Sequence, residues 1–265
     1  MGKNAKNKPK ENKPKGKFDD NMKKIGSFLD KKNNLIKISI ILIVVMFLFT
    51  YFGYLVSTSG GNVDMREVSF RGSQDNVISS FLFVPDTATA ANPAPAVLLA
   101  YGGTGLKDFM VNISIELARR GFVAMAVDTS GGGLTEHTSA SVALDTMRFL
   151  RGQSFVETYN IGLVGQSMGR LVIQAIADNE PDWYRSILFL GMIPVGSPEA
   201  LAEYRNMAVL MGTADETFWQ GRPFNRDWFG LPWWQTHMLS GLDHTGPIQG
   251  NVIYGNIAAG TGRIS

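Results

Sequence analysis

The sequence predicts an α/β protein: a mostly parallel sheet with helices on both faces, preceded by one N-terminal transmembrane helix. Three observations carry this expectation. Residues 38–56, ISIILIVVMFLFTYFGYLV, run for 19 residues without a charge, enough to cross about 30 Å of hydrocarbon. Beyond residue 65, short apolar runs alternate with segments whose apolar residues recur at helical spacing. Several of those runs, such as AVLLA (96–100), are apolar throughout, as strands covered on both faces are.

The element order begins with a tail of different character. Residues 1–37 hold 12 Lys against 4 Asp or Glu, a net of +8. The whole chain is only +2, so residues 38–265 carry −6. A stretch of Lys, Asn and Pro buries too little apolar surface to fold, which predicts disorder. Its charge fits solvation and membrane orientation. Nucleic acid is not an expected partner, because Phe18 and Phe28 are the only aromatic residues interleaved with the lysines.

Lys23, Lys24, Lys31, Lys32 and Lys37 lie just before the apolar run, whereas only Arg66 and Arg71 follow it closely. The positive-inside bias places the N-terminus in the cytoplasm and the following domain outside. A cleaved signal peptide would have a shorter leader and a shorter apolar core. The expectation is therefore an uncleaved single-pass anchor in the cell membrane, with the bilayer as a partner through residues 38–56. The chain contains no Cys, which excludes disulfides and thiolate-held metals.

Residues 57–65 read as a linker and 66–265 as the folded domain. EVSFR (67–71) alternates, and VISSFLFVP (77–85) forms a second strand ending at Pro85. A loop rich in Pro and Ala leads into AVLLA (96–100). Residues 107–120 predict a helix in which Met110, Ile113 and Leu117 share a face, closed by Gly121. FVAMAV (122–127) is a strand ending at Asp128. A helix over 140–151 aligns Ala143, Met147 and Leu150, IGLV (161–164) is the next strand, and 170–178 the next helix. SILFL (186–190), MAVLM (207–211) and THMLSGL (236–242) complete the set. Such alternation implies crossover connections, with ligands bound beyond the C-terminal ends of the strands.

One polar residue stands out in this frame. GQSMG (165–169) fits G-x-S-x-G with a strand before and a helix after, the context this turn requires. Glycines flank Ser167 because so sharp a turn strains the backbone and leaves no room for neighbouring β-carbons. The hydroxyl is then lifted to the sheet's edge beside a helix N-terminus, where negative charge is favoured. A serine hydroxyl becomes a nucleophile only when a base takes its proton and an acid orients that base.

The three histidines are His137, His237 and His244. His137 is expected in the loop LTEHTS and His237 within the strand THMLSGL, whereas His244 follows that strand and fits the base. Asp215 follows the strand MAVLM directly and fits the acid. Glu216 adjoins the right spot but would point away, and Asp243 lies too close to His244 to reach its far nitrogen. Tyr101, Gly102, Gly103, Thr104 and Gly105 end another strand and free backbone N–H groups for an oxyanion, with Gly103 and Met168 the expected donors. The Lys-Ser/Thr ending of a phosphate-binding loop is missing.

Ser167, Asp215 and His244 in that order, with YGG (101–103) after an earlier strand, resemble the α/β-hydrolase superfamily over about residues 66–250. Separations of 48 and 29 residues leave no room for a large cap, and this compactness is similar to the dienelactone hydrolase and acyl esterase group. YGG also resembles the prolyl oligopeptidase group, which implies that the Tyr101 hydroxyl assists the oxyanion. Two features depart from the pattern: Arg170 stands where Gly or Ala is usual, and a Gly-rich tail follows His244. The resemblance implies the α/β-hydrolase fold and a serine hydrolase acting through the Ser167–Asp215–His244 triad. It implies a small-molecule ester or short peptide as substrate and neither cofactor nor metal. The aromatic-rich segment 218–234 fits an acyl pocket or a surface excursion equally well.

Overall fold

The computed structural model describes residues 17–29, 32–103, 105–129, 136–212, 215 and 236–239. By internal contacts the chain divides into two units, 1–54 and 55–265.

The first unit is helical. Helix α1 (Lys17–Leu29) and most of helix α2 (Lys32–Ser57) belong to it. Helix α1 lies inside the tail expected to be disordered. Met22, Ile25 and Phe28 recur at helical spacing there, and they suffice for an amphipathic face. Within α2, residues Asn34–Val56 are long and apolar enough to cross a membrane, and none of that stretch is buried by protein.

The second unit is built on an eight-stranded sheet. Its strands are β1 (Val63–Arg71), β2 (Val77–Pro85), β3 (Ala94–Ala100), β4 (Val123–Val127), β5 (Val156–Gln166), β6 (Ser186–Leu190), β7 (Met207–Gly212) and β8 (Thr236–Leu239). They lie in the order β1-β2-β4-β3-β5-β6-β7-β8. Strand β2 runs antiparallel to both β1 and β4, and every other pair is parallel. Strand β1 begins at Val63, inside the stretch that reads as a linker, because its pairing with β2 runs unbroken from Val63–Pro85 to Arg71–Val77.

The central strands divide their side chains between two cores, as an alternating pleat dictates. Ala96, Leu98 and Ala100 of β3 join Val123, Met125 and Val127 of β4 on one face. There they pack against Ala143, Met147 and Leu150 of α4 (Glu136–Arg151) and Val172, Ile173 and Ile176 of α5 (Arg170–Asn179). Val97, Leu99, Ala124 and Ala126 face the other way, onto Met110, Ile113 and Leu117. The predicted helix 107–120 is thus a 3₁₀ turn, Lys107–Met110, that runs into α3 (Val111–Arg119). A short helix that the sequence pattern did not reveal, α6 (Pro198–Ala202), starts where the Ser197 hydroxyl accepts the Ala200 N–H. Five residues are too few to show a helical period.

This topology brings the C-terminal ends of β3, β4, β5 and β7 to one edge of the sheet. Tyr101–Gly103, Ser167 and Asp215 follow three of those ends.

Candidate active site

Ser167 directly follows β5 and opens a 3₁₀ turn, Ser167–Gly169, that leads into α5. Its φ is +52°, a left-handed conformation that costs a residue with a β-carbon about 1–2 kcal/mol. Two contacts hold it there. A β-carbon at Gly165 would lie 2.6 Å from Cδ1 of Ile173, so β5 and α5 touch where only glycine fits. A β-carbon at Gly169 would strike the carbonyl of Ala100, its carbon 2.6 Å away, so the turn is pressed onto the end of β3. Arg170 is accommodated as the first residue of α5 with ordinary helical angles, φ −53° and ψ −35°.

The loop after β3 lies against this turn. A β-carbon on Gly102 would meet the Met168 backbone nitrogen and come within 2.7 Å of Ser167 Cβ. The structure therefore brings together Ser167, Met168 and the Tyr101–Gly103 segment. Gly103 itself has φ +58°, and the Gly105 N–H donates to the Gly102 carbonyl at 3.0 Å, closing a tight turn. Tyr101 stacks on Phe109, with centroids 4.5 Å apart and planes 16° from parallel. Burial raises the pKa of its phenol above the ordinary tyrosine value.

Asp215 follows β7 and is fully buried, its N–H donating to the Gly212 carbonyl at 3.4 Å. It lies three residues beyond the end of β7, the strand the sequence places before it, and β7 is two strands from β5. His237 occupies β8 opposite Leu210, half-buried within the sheet. His137, expected in a loop, instead lies in the first turn of α4, whose four polar residues Glu136–Ser139 carry no apolar spacing to reveal it. His244, Glu216, Asp243, Thr104 and the segment 218–234 lie outside the described residues. Among the described residues, no three His, Asp or Glu side chains converge as a metal site requires.

Sequence reasoning missed one cluster. Lys107 is almost completely buried, yet it carries an ammonium group. Its Nζ pairs with Glu67 of β1 at 3.0 Å and donates to Asp128, just past β4, at 3.3 Å. It also sits 4.6 Å from the centroid of the Phe81 ring. Burial alone would lower its pKa, but hydrogen bonds to Glu67 and Asp128 outweigh this and raise it. The Thr129 N–H and hydroxyl both donate to the Gly105 carbonyl, at 2.9 and 3.3 Å. These contacts tie the glycine loop to β4 on the side away from Ser167. A lysine two residues after a glycine loop was the only signal available, and its two carboxylates lie too far off in sequence to be matched to it.

No protein-family model matches the chain, and no curated protein matches it. Solved structures do. Est1E from Butyrivibrio proteoclasticus is similar with a TM-score of 0.58 at 14% identity, over 72% of this chain and 95% of its own. A dienelactone hydrolase-like promiscuous phosphotriesterase, P91, from metagenomic libraries is similar at 0.55 and 16%, over 72% and 87%. Dienelactone hydrolase from Anabaena variabilis is similar at 0.55 and 15%, over 74% and 95%. With the strand order and the strained turn after β5, this likeness identifies the architecture as the α/β-hydrolase fold.

Proposed function

We propose that the protein is a membrane-anchored serine hydrolase that cleaves carboxylic esters through an acyl-enzyme. The observation that carries this is the strained Ser167, held against the Gly102 backbone with the Met168 nitrogen beside it. A hydroxyl kept at a strained strand end, where glycine would fit with less cost, indicates that the oxygen is used.

In this mechanism Ser167 Oγ attacks the ester carbonyl carbon while His244 takes its proton. Asp215, at the end of β7, fixes the tautomer of His244 and stabilises the imidazolium that forms. The carbonyl oxygen gains charge and accepts from the N–H groups of Gly103 and Met168, with the Tyr101 hydroxyl as a third donor. His244 returns the proton to the leaving alkoxide. Water, activated by the same imidazole, then releases the acid and restores Ser167. Helix α2 is the single-pass anchor, with the basic N-terminus in the cytoplasm and the catalytic domain outside.

A serine-reactive fluorophosphonate tests this on the full-length chain. Labelling of the native protein, and none of a folded Ser167→Ala variant, is the expected result. Absence of labelling in the folded native chain would reduce the domain to a membrane-tethered binding module. An ester panel set against a peptide panel then distinguishes an esterase from a peptidase of the same fold.

A further inference from the structure

Helix α1 presents an apolar face that no described residue covers. Met22, Ile25 and Phe28 are each just over half exposed, at 53%, 53% and 54%. At about 100° per residue they fall within one arc of about 120°, while Lys23 and Ser27 point the opposite way. The distribution is that of a helix lying along an interface between water and oil.

Its position selects the oil. The apolar stretch of α2 begins at Asn34. The side-chain amide of Asn34 donates to the Phe28 carbonyl at 3.1 Å, which holds the end of α1 at the mouth of that stretch. Even without this bond, five residues could carry α1 no farther than about 18 Å from it. If α2 crosses a bilayer, this bond holds the end of α1 at the headgroup layer. The net +8 of residues 1–37 complements anionic headgroups there.

We propose that α1 is an interfacial helix that lies on an anionic membrane surface, with Met22, Ile25 and Phe28 in the boundary between headgroups and acyl chains. This rests on the membrane-anchored reading of α2. It gives the basic tail a function beyond orientation, because the tail and helix bind the lipid surface together.

The chain has no Cys, so one introduced thiol carries one environment-sensitive fluorophore. Full-length Met22→Cys, Ile25→Cys, Ser27→Cys and Val45→Cys are each labelled and reconstituted into phosphatidylcholine vesicles with or without phosphatidylglycerol. With phosphatidylglycerol present, probes at 22 and 25 emit at shorter wavelength, are quenched by shallow spin-labelled lipid, and are several-fold protected from iodide. The probe at 27 stays open to iodide. The protection weakens in pure phosphatidylcholine and at about 1 M salt, where screening acts within about 3 Å. The proposal is overturned if the probe at 45 reports hydrocarbon while those at 22 and 25 match the one at 27. It is equally overturned if 22 and 25 are shielded from iodide but not reached by lipid quencher, since a protein surface then covers them. Should the probe at 45 report water, the anchor itself fails, and that failure is separately visible.

Discussion

Ser167 and Gly103 stand in adjoining turns with almost the same backbone twist, φ +52° and +58°. One keeps a side chain and the other has none. At Gly103 the left-handed turn costs little, because a residue without a β-carbon enters that region freely. At Ser167 the chain accepts about 1–2 kcal/mol of strain to keep a CH₂OH group. Among the described residues, the other non-glycines with positive φ are Ser59, Asp75 and Asn206, all in connections between elements. The contrast separates two needs. In the proposed mechanism the turn after β5 presents an oxygen, whereas position 103 presents only backbone.

The largest effect expected from breaking this contrast is chemical. Replacing Ser167 with Ala removes the proposed nucleophile, and ester turnover is expected to fall about 10³-fold or more. Ser167→Gly loses turnover equally but relieves the strain. It therefore unfolds later than Ser167→Ala, by about 1 kcal/mol in thermal denaturation. Equal stabilities of the two variants would show that the twist at 167 carries no strain.

The next effect separates neighbouring glycines. A β-carbon at position 102 collides with the backbone of the nucleophile turn, which cannot yield as a flexible side chain would. Gly102→Ala should cost about 3 kcal/mol of stability, at the upper end of overpacking, and slow turnover by displacing Met168. At Gly103, among the described residues, a β-carbon meets nothing nearer than Tyr101 Cε1 at 4.0 Å. Gly103→Ala should cost only the twist, about 1–2 kcal/mol. Chemical denaturation of the two variants side by side checks the order, and a reversal would mean that twist outweighs crowding here.

Much of this edge was legible in the sequence because its signals are local. The β5–α5 turn announces itself in five consecutive residues, and the strand preceding Asp215 is apolar without a break. The alternating cores of β3 and β4 follow from runs of Val, Leu, Met and Ala. What escaped depends on distance or brevity. The Lys107 cluster joins residues 40 and 21 positions apart, and no periodicity encodes such pairing. Helix α1 was hidden by composition: the lysines and asparagines of the tail around it dominated, although three well-spaced apolar side chains sufficed. Helix α6 was too short to read. His244, the base of the proposed mechanism, lies outside the described residues.

The smallest effect concerns how the glycine loop is held. Lys107→Met keeps the length of the side chain over Phe81 but removes the ammonium from between Glu67 and Asp128. Leaving a fully buried carboxylate unpaired costs several kcal/mol. These two are 58% and 17% exposed, so water replaces much of what is lost and about 1 kcal/mol is expected. The pH dependence identifies the cause. The hydrogen bond from Lys107 lowers the pKa of Glu67, so its contribution is present above the ordinary glutamate range and lost as pH falls through the lowered value. The pKa of Lys107 is raised, so its contribution is complete below the ordinary lysine range and lost only as pH climbs through the higher value. The stability gap between native protein and variant should therefore be widest between about pH 5 and 10 and should narrow at both extremes. Thermal unfolding across that range measures it. A gap that stays constant with pH would mean that the lysine stem packing on Phe81, rather than its charge, secures the loop beside Ser167.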